Sequence, residues 1–410
     1  MFALDRSTHE RLTADLPGPL RDAASLSFTA FESMPMPSPV AEDWRYVAVP
    51  ERLQELLIPE DPGADPTPSA YETMLGETTG RADIVDGQVS RVCGSNIAPF
   101  TEADVPWYQP TEPADRFAAT ASAFGGSGVV VSAAAGEIVE QPLFVSIEAV
   151  TPGVVSIPRL LVVGGEASAV EVVVEQRSPD GLETLVLPDL EVVAGRAARV
   201  SVLVVQTWGD ETIAVGRHLL RADADAFAGL SEAGLGGRFS RLHLTVDLIG
   251  RGADSRISGA YFGDAEQTLD YRYFMNHSGP NTTSEMFLKG AVAGAARSVF
   301  TGLIRVDPAA QGTNAHQTNR NLVLSDAAEA HSVPNLEILA NDVRCGHAST
   351  VGPLDEEQRY YLMSRGLSAP RADRLQVLGF FEESLQRFPH RKLAPMLRAI
   401  AMEKYDRIAP

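Results

Sequence analysis

A long series of short segments rich in valine and isoleucine constrains the fold of this chain more than any other feature. Between Gly125 and Thr350 such segments follow one another closely and are separated by Gly, Asp, Asn and Pro. Their length and composition predict β-strands joined by turns. No helical pattern alternates with them, which argues against a doubly wound α/β fold. The clearest segments are 128–132, 143–147, 160–163, 169–175, 199–205, 242–248 and 298–306.

The fold class predicted from this region is mainly β. A stretch as long as 125–350 exceeds one typical sandwich, but it suits a solenoid, in which each strand pairs with the rungs before and after it. The segments show no fixed-length repeat of the kind that marks a regular solenoid. The pattern alone therefore leaves a parallel β-helix and a sandwich or barrel both open.

Helical patterns flank the strand region on both sides. In the N-terminal part, a helix is predicted to begin at Pro19, and 82–89 reads as a strand, a turn and a second strand. The C-terminal part predicts three helices, beginning near Leu354, Ser368 and Lys392. We therefore predict an N-terminal helical region with a short strand segment, a β core and a C-terminal helical domain. Their predicted bounds are 1–115, 116–352 and 353–410.

Composition excludes several classes of function. The chain has 410 residues, with 34 Lys and Arg against 54 Asp and Glu, for a net charge of −20. A strongly acidic chain is a poor partner for nucleic acid or for an anionic membrane. The first residues do not combine a basic segment with a following apolar run, so no secretory signal is predicted. No apolar run approaches the ~20 residues of a membrane span. Two distant cysteines are typical of a reducing compartment, so we expect a cytoplasmic protein.

Cys345-Gly-His347 is the strongest candidate for chemistry, because it places a thiol two residues from an imidazole. Both groups are ligands for iron and other transition metals. Cys93, in contrast, is predicted to be a small buried hydrophobic residue. Three further histidines lack the spacing of metal ligands and are interpreted as structural: His218, His243 and His277. The amides between Gln311 and Asn321 are predicted to form ladders or to bond turn backbone.

Several motifs in chain order carry a resemblance to a known family. They are Lys289-Gly290, Val299-Phe-Thr-Gly302, Ala310 to Ser325, Pro334-Asn-Leu-Glu-Ile338, Asn341 to His347, Thr350-Val-Gly352 and Tyr360 to Gly366. Together they resemble the SufB/SufD family of iron–sulfur cluster assembly proteins, most densely over 255–380. The resemblance implies a right-handed parallel β-helix flanked by N-terminal and C-terminal helical regions. It also implies membership of the SufBCD scaffold complex, in which SufC is the ATPase.

Within the family the chain resembles SufD more than SufB. SufB proteins carry a Cys-Gly-Ala-His type motif and a His-Glu-Ala-Thr type motif, whose cysteine and glutamate are replaced here by Ala328 and Ala348. The Cys-x-His of SufD is present as Cys345-Gly-His347. One departure is that Gly346 and Ala348 flank the histidine, where SufD chains commonly have Ser and Gly.

The resemblance implies a non-catalytic scaffold subunit that pairs with SufB through its β-helix and binds SufC through its C-terminal helices. Without SufB, a homodimer is the alternative pairing. The resemblance also implies that His347 and Cys345 bind iron or a nascent, transient cluster at the interface with the partner. A cluster needs ~4 ligands, so we expect the isolated chain to hold none. Because the sequence has no P-loop, ATP hydrolysis is assigned to SufC. Two alternatives stay open: a SufB-type subunit, and a β-helix enzyme acting on acidic polysaccharide.

Overall fold

The computed structural model describes residues 1–38, 40–45, 47, 57–61, 63–103 and 112–408. The predicted N-terminal region, 1–115, therefore includes stretches that lie outside the described residues. Its described part holds helices and a strand pair, and the tail after residue 352 holds helices alone. The domain bounds themselves stay a prediction.

Seven α-helices lie at the two ends of the described chain. The predicted helix at Pro19 and the three predicted helices of the tail are all present. Asp5 and Asp355 cap the first helix and the first tail helix, since their carboxylates accept backbone N–H groups that the helix leaves unpaired. The helices are α1 (Arg6–Thr13), α2 (Gly18–Ser33), α3 (Ala70–Leu75), α4 (Arg116–Phe124), α5 (Glu356–Ser364), α6 (Ala369–Leu385) and α7 (Ala394–Ile408).

The strands form two sheets, of ten and eleven strands. The first sheet contains β1 (Gly80–Val85), β2 (Gln88–Gly94), β5 (Leu143–Glu148), β8 (Ala169–Arg177), β11 (Arg199–Thr207), β13 (Phe227–Gly234), β15 (Asp254–Gly263), β17 (Thr283–Val292), β19 (Asn314–Val323) and β21 (Arg344–Gly352). The second contains β3 (Ile97–Pro99), β4 (Gly128–Ala133), β6 (Val155–Ser156), β7 (Arg159–Gly164), β9 (Leu185–Val186), β10 (Asp189–Ala194), β12 (Ile213–Ala222), β14 (Phe239–Leu248), β16 (Thr268–His277), β18 (Arg297–Val306) and β20 (Glu329–Ile338).

From β7 onward the chain alternates between the sheets, apart from the short strand β9, and neighbouring strands in each sheet are parallel. This is a parallel β-helix with helical regions at both ends, so the predicted fold class is confirmed and the sandwich or barrel is wrong. The rung length varies, from 26 residues between Ile213 and Phe239 to 32 between Arg297 and Glu329. Variable rungs explain why the sequence shows no fixed-length repeat.

The turn from the second sheet to the first keeps one backbone conformation from rung to rung, although its residues differ. Six successive rungs pass from the second sheet to the first through a residue with φ between about 50° and 80°. This left-handed conformation favours glycine, yet four of the six residues have side chains. They are Ala167, Ala197, Asp225, Gly252, Asn281 and Gly312.

The interior of the solenoid is apolar in its early rungs and combines apolar with polar side chains in its late ones. Ile84, Val129 and Val131 are fully buried in the first rungs. Toward the C-terminal end the interior holds buried tyrosines together with Gln317, Asn319 and Asn321. Aliphatic packing in the early rungs stabilises the fold by burial alone, whereas the late rungs depend on hydrogen bonds between buried side chains.

The tail helices cover the outer face of the first sheet. Phe381, Leu385 and Phe388 are buried against apolar residues of that face, such as Phe262. Lys404 of α7 is also buried and lies 2.7 Å from a carboxylate oxygen of Asp264. The apolar stripe of the tail therefore packs within the chain.

Candidate functional site

β21 brings the two residues of the Cys345-Gly-His347 motif to one face of an edge strand. It is the last strand of the first sheet and pairs only with β19. Residues two apart in a strand share a face. Cys345 lies beside Ala315 in the register, and His347 lies beside Gln317. Ala315 and Gln317 are buried in the interior, so the thiol and the imidazole face the interior of the solenoid at its open end.

The two side chains differ in burial. Cys345 is half-buried and packs against the core, and this burial raises the pKa of its thiol, while a hydrogen bond with the backbone of Ala315 acts in the opposite direction. His347 is exposed, because β21 is the last rung of this sheet in the described part of the chain. Among the described residues, none forms a hydrogen bond with its imidazole. Both ring nitrogens are therefore available to an external group.

Buried amides form the floor below this pair. Gln317 Nε2 donates to the backbone oxygen of Asn335, on β20 across the interior, at 3.0 Å. Asn319 and Asn321 bond to each other at 2.7 Å, and both bond the hydroxyl of Tyr261. The prediction for this amide-rich stretch is therefore only partly right. Gln311 does bond turn backbone, but Gln317 bonds across the interior, and Asn319 and Asn321 bond a tyrosine two strands away in their own sheet.

β20 is the edge strand of the second sheet and forms the other wall of the open end. The hydroxyl of Ser349 on β21 donates to that of Ser332 on β20 at 2.8 Å, so the two walls are joined directly. Three apolar side chains near this rim are more than a third exposed. They are Leu336, Leu339 and Val351. An exposed rim with apolar side chains and two unpaired strand edges is typical of a surface that a partner covers.

Cys93 does not contribute to this site. It lies on β2, at the other end of the first sheet, and nine steps of ~4.8 Å place β2 and β21 roughly 43 Å apart. It is also exposed, so the prediction of a buried hydrophobic residue is wrong. The strand's position at the edge of the sheet, with β1 as its one partner, explains the exposure.

The structural interpretation of the other histidines agrees with their surroundings. His277 is fully buried and bonds Thr282 and Ser284 at 2.7 and 2.9 Å. Burial lowers the pKa of His218, His243 and His277 to about 4. Each of them is therefore neutral at physiological pH. Within the described residues no three His, Cys, Asp or Glu side chains form a group that could hold a metal ion.

Comparison with known proteins identifies the family. The sequence matches the description "SUF system FeS cluster assembly, SufBD core domain" over residues 147–380. Iron–sulfur cluster assembly SufBD family proteins of Mycobacterium bovis and Mycobacterium tuberculosis are 34% identical over 279 residues, which cover 66% of this chain and 69% of theirs. The chain belongs to the SufB/SufD family. Members of the SufB/SufD family serve iron–sulfur cluster assembly, so the predicted family is confirmed.

The match to a SufD protein is shorter. Escherichia coli SufD is 35% identical over 165 residues, which cover 40% of this SufB/SufD family chain and 38% of that protein. Arabidopsis thaliana protein ABCI7, chloroplastic, is 31% identical over 248 residues, or 60% of this chain. These partial matches support the family but do not decide between the SufB and SufD types. Among the described helices of this SufB/SufD family chain, none is long and apolar enough to span a membrane.

The open end fits the family's cargo in part. Cys345 and His347 place one thiol and one imidazole on the same face of β21, whereas an iron–sulfur cluster takes ~4 such groups. The sequence predicted this pair from the spacing of the cysteine and the histidine and from the family resemblance, and the structure places both on one face of β21. It missed Gln317 as a neighbour of His347, since the two are brought together only by the register of β19 and β21.

Proposed function

We propose that this chain is a SufD-type subunit of a cytoplasmic SufBCD scaffold, which pairs with SufB through the open end of its β-helix. The observation that carries the proposal is that Cys345 and His347 share the interior face of the last strand, where no further rung covers them. A half set of ligands at an uncovered end suits a cluster that is completed by a partner. Without SufB, a second copy of the chain is the alternative partner at this end.

Cys345 and His347 have the chemistry of a site that receives iron or a nascent cluster. An imidazole binds iron through a neutral ring nitrogen. A thiol must lose its proton to bind metal, and the partly buried Cys345 does this less readily than a free thiol. His347 is accordingly the principal ligand in this proposal, with Cys345 as the second, and the isolated chain retains no cluster.

The SufD assignment rests on the residues at the two SufB motif positions. Ala328 is buried against Val292 and Ala296 and has no ligating atom. Ala348 lies on β21 with its side chain on the face opposite to Cys345 and His347. Neither position supplies the thiol or carboxylate expected of a SufB-type subunit.

SufC docking is assigned to α5. The apolar faces of α6 and α7 are already occupied by the solenoid, whereas none of the residues of α5 is buried. α5 exposes Tyr360 and Tyr361 by 76% and 57%, and Met363 by 44%. Adjacent exposed aromatic side chains are typical anchors of protein interfaces. In this proposal ATP hydrolysis by SufC rearranges the SufB–SufD interface, and this chain has no catalytic activity of its own.

The test is to co-purify the wild type and His347→Ala with the SufB and SufC of the same organism and to measure iron and acid-labile sulfide. We expect the variant to assemble normally and to lose most of both. His316→Ala is the matched control, because His316 is also exposed but lies on β19, on the opposite face from Gln317. Equal iron in His347→Ala and wild type would refute the role of the imidazole. Failure of the wild type to bind SufB would refute the scaffold assignment.

A further inference from the structure

We propose that the cavity between α7 and the outer face of the first sheet binds a free α-amino acid with an apolar side chain. The site proposed for the cluster lies elsewhere. Six strand steps of ~4.8 Å separate β8, which lines the cavity, from β21, a distance of roughly 29 Å. The proposal is therefore independent of the function proposed above. It is carried by the unpartnered polar atoms of the cavity and by the charges that line it.

The cavity has the size of a small-molecule site. Its volume is about 420 Å³, within the ~300–1,000 Å³ that is typical of ligand pockets. Residues from three parts of the chain line it: β8 with the end of β11, the segment 68–71, and α7. Met396, Ile400 and Lys404 are four residues apart, so one face of α7 is turned to the cavity.

Three buried polar atoms of the lining have no hydrogen-bond partner among the described residues. They are the hydroxyl oxygen of Tyr71, Oε2 of Glu175 and Nε of Arg177. The side chains of Tyr71 and Glu175 are both buried, each residue being 3% exposed. Buried polar atoms in proteins are normally paired, so three unpaired atoms in one lining require an explanation.

The other atoms of the two charged groups on β8 are already held. Arg177 Nη2 donates to the backbone oxygen of Thr67 at 2.6 Å, and Nη1 donates to that of Pro68 at 3.2 Å. Arg177 Nη1 also lies 3.6 Å from Glu175 Oε1. These contacts keep the guanidinium and the carboxylate side by side. They leave one N–H and one carboxylate oxygen for a ligand.

The three unpartnered atoms are two donors and one acceptor. Arg177 Nε can only donate. Burial raises the pKa of the Tyr71 hydroxyl, and the charge of Glu175 raises it further, so this group keeps its proton and donates. Burial also raises the pKa of the Glu175 carboxyl, opposed by Ser69 and Arg177, and a bound ammonium group would favour its ionised, accepting form. A matching ligand offers an oxygen to the two donors and an N–H to the carboxylate.

The charge of the lining favours a ligand that carries both signs. Three acidic and three basic side chains line the cavity, so their formal charges sum to zero, and a ligand of one sign would leave the other sign unmatched. An α-amino acid carries a carboxylate and an ammonium group on one carbon. The apolar part of the lining, which includes Leu235, suits its side chain. The six charged residues are Glu175, Asp180, Glu403, Arg177, Lys404 and Arg407.

The experiment measures the binding of L-leucine, L-methionine and L-phenylalanine to the full-length chain by titration calorimetry. Two analogues each remove one charge of the ligand: N-acetyl-L-leucine lacks the ammonium group, and L-leucinamide lacks the carboxylate. Glu175→Gln removes the charge of the acceptor, and Tyr71→Phe removes one donor. Glu183→Gln is the matched control, because Glu183 is exposed between β8 and β9 and does not line the cavity.

We expect L-leucine to bind the wild type and each analogue to bind roughly tenfold or more weakly, since each leaves a charged group of the site without its partner. Glu175→Gln should weaken L-leucine binding by a similar factor, Tyr71→Phe by less, and Glu183→Gln not at all. Absence of binding by all three amino acids would overturn the proposal. Equal affinity for L-leucine and its two analogues would also overturn it, and that comparison needs only the wild type. Wild-type affinity in Glu175→Gln would contradict the assignment of the site.

Discussion

The two ends of the solenoid differ in the direction of their outermost strands and in the exposure of their interior-facing residues. At the N-terminal end the outermost strands, β2 and β3, run antiparallel to their neighbours, and the interior residues Ala82 and Ile84 are fully buried. At the C-terminal end β20 and β21 keep the parallel direction, and the interior-facing His347, Ser349 and Val351 are exposed. Within the described residues, the thiol and imidazole of Cys345 and His347 lie together at the open end. The proposed site thus lies where the repetition of rungs stops without a cover.

The largest expected effect concerns the tail that follows the open end. Phe381→Ala removes a buried ring from the contact between α6 and the first sheet, and we expect it to lower the free energy of unfolding by roughly 3–5 kcal/mol. Tyr360→Ala, on the exposed helix α5, is the matched aromatic control and should change it by less than ~0.5 kcal/mol. Urea unfolding of both variants measures the difference.

The same two variants separate folding from docking. Tyr360→Ala should weaken SufC binding in a pull-down while leaving the fold intact. Deletion of 354–410 is a poorer test, because it would also expose the apolar face of the first sheet. Unchanged SufC binding by Tyr360→Ala combined with Tyr361→Ala would contradict docking through α5.

A charge placed at the open end tests whether a partner covers it. Val351→Arg puts a guanidinium on the interior-facing rim, and burying it without a partner should weaken SufB binding by roughly 2–5 kcal/mol, or thirtyfold or more. Ser90→Arg places the same charge on the exposed face of β2 at the covered end and should have no effect. Titration calorimetry with SufB gives both affinities. Equal weakening of SufB binding by Val351→Arg and Ser90→Arg would contradict the distinction between an open end and a covered end.

The polar interior of the late rungs makes stability depend on pH. Burial raises the pKa of Glu232 to about 7, partly opposed by the hydrogen bond from Tyr273. A carboxyl with a raised pKa favours the folded state fully below its unfolded pKa, and this contribution is lost as pH rises through 7. Glu232→Gln should therefore match wild type near pH 4 and be more stable by about 3 kcal/mol at pH 8.

Urea unfolding at the two pH values checks the Glu232 prediction. Glu266→Gln is the control, since the Glu266 carboxylate is exposed and the substitution makes the same change of side chain outside the interior. A constant difference between Glu232→Gln and wild type across this pH range would show that Glu232 is not the titrating group.

The smallest expected effect concerns the left-handed turns. Ala197 has φ of 56°, a conformation that costs an alanine roughly 1–2 kcal/mol. Ala197→Gly relieves this strain but adds flexibility to the unfolded chain, so we expect a net stabilisation of about 0.5–1 kcal/mol. Ala198→Gly, at the next residue, should instead destabilise. Thermal unfolding of the two variants provides the comparison.

The sequence alone was sufficient for the fold class, the tail helices and the common face of Cys345 and His347. Cys345 and His347 are two residues apart in a strand, so local geometry puts them on one face wherever the strand lies. The helices of the tail follow from local caps and periodicity, which the structure repeats at Asp355 and in α6. These features depend on neighbours in the chain.

Only the tertiary structure decided which distant residues surround the site. The exposure of Cys93 follows from its edge strand, and the position of Gln317 beside His347 is set by strand register over rungs of unequal length. Ala197 and Gly312 occupy the same turn position, so the residue type at this position does not show where a rung begins. Pairing between strands about thirty residues apart is fixed by the packing of the whole solenoid, and no local pattern in the sequence records it.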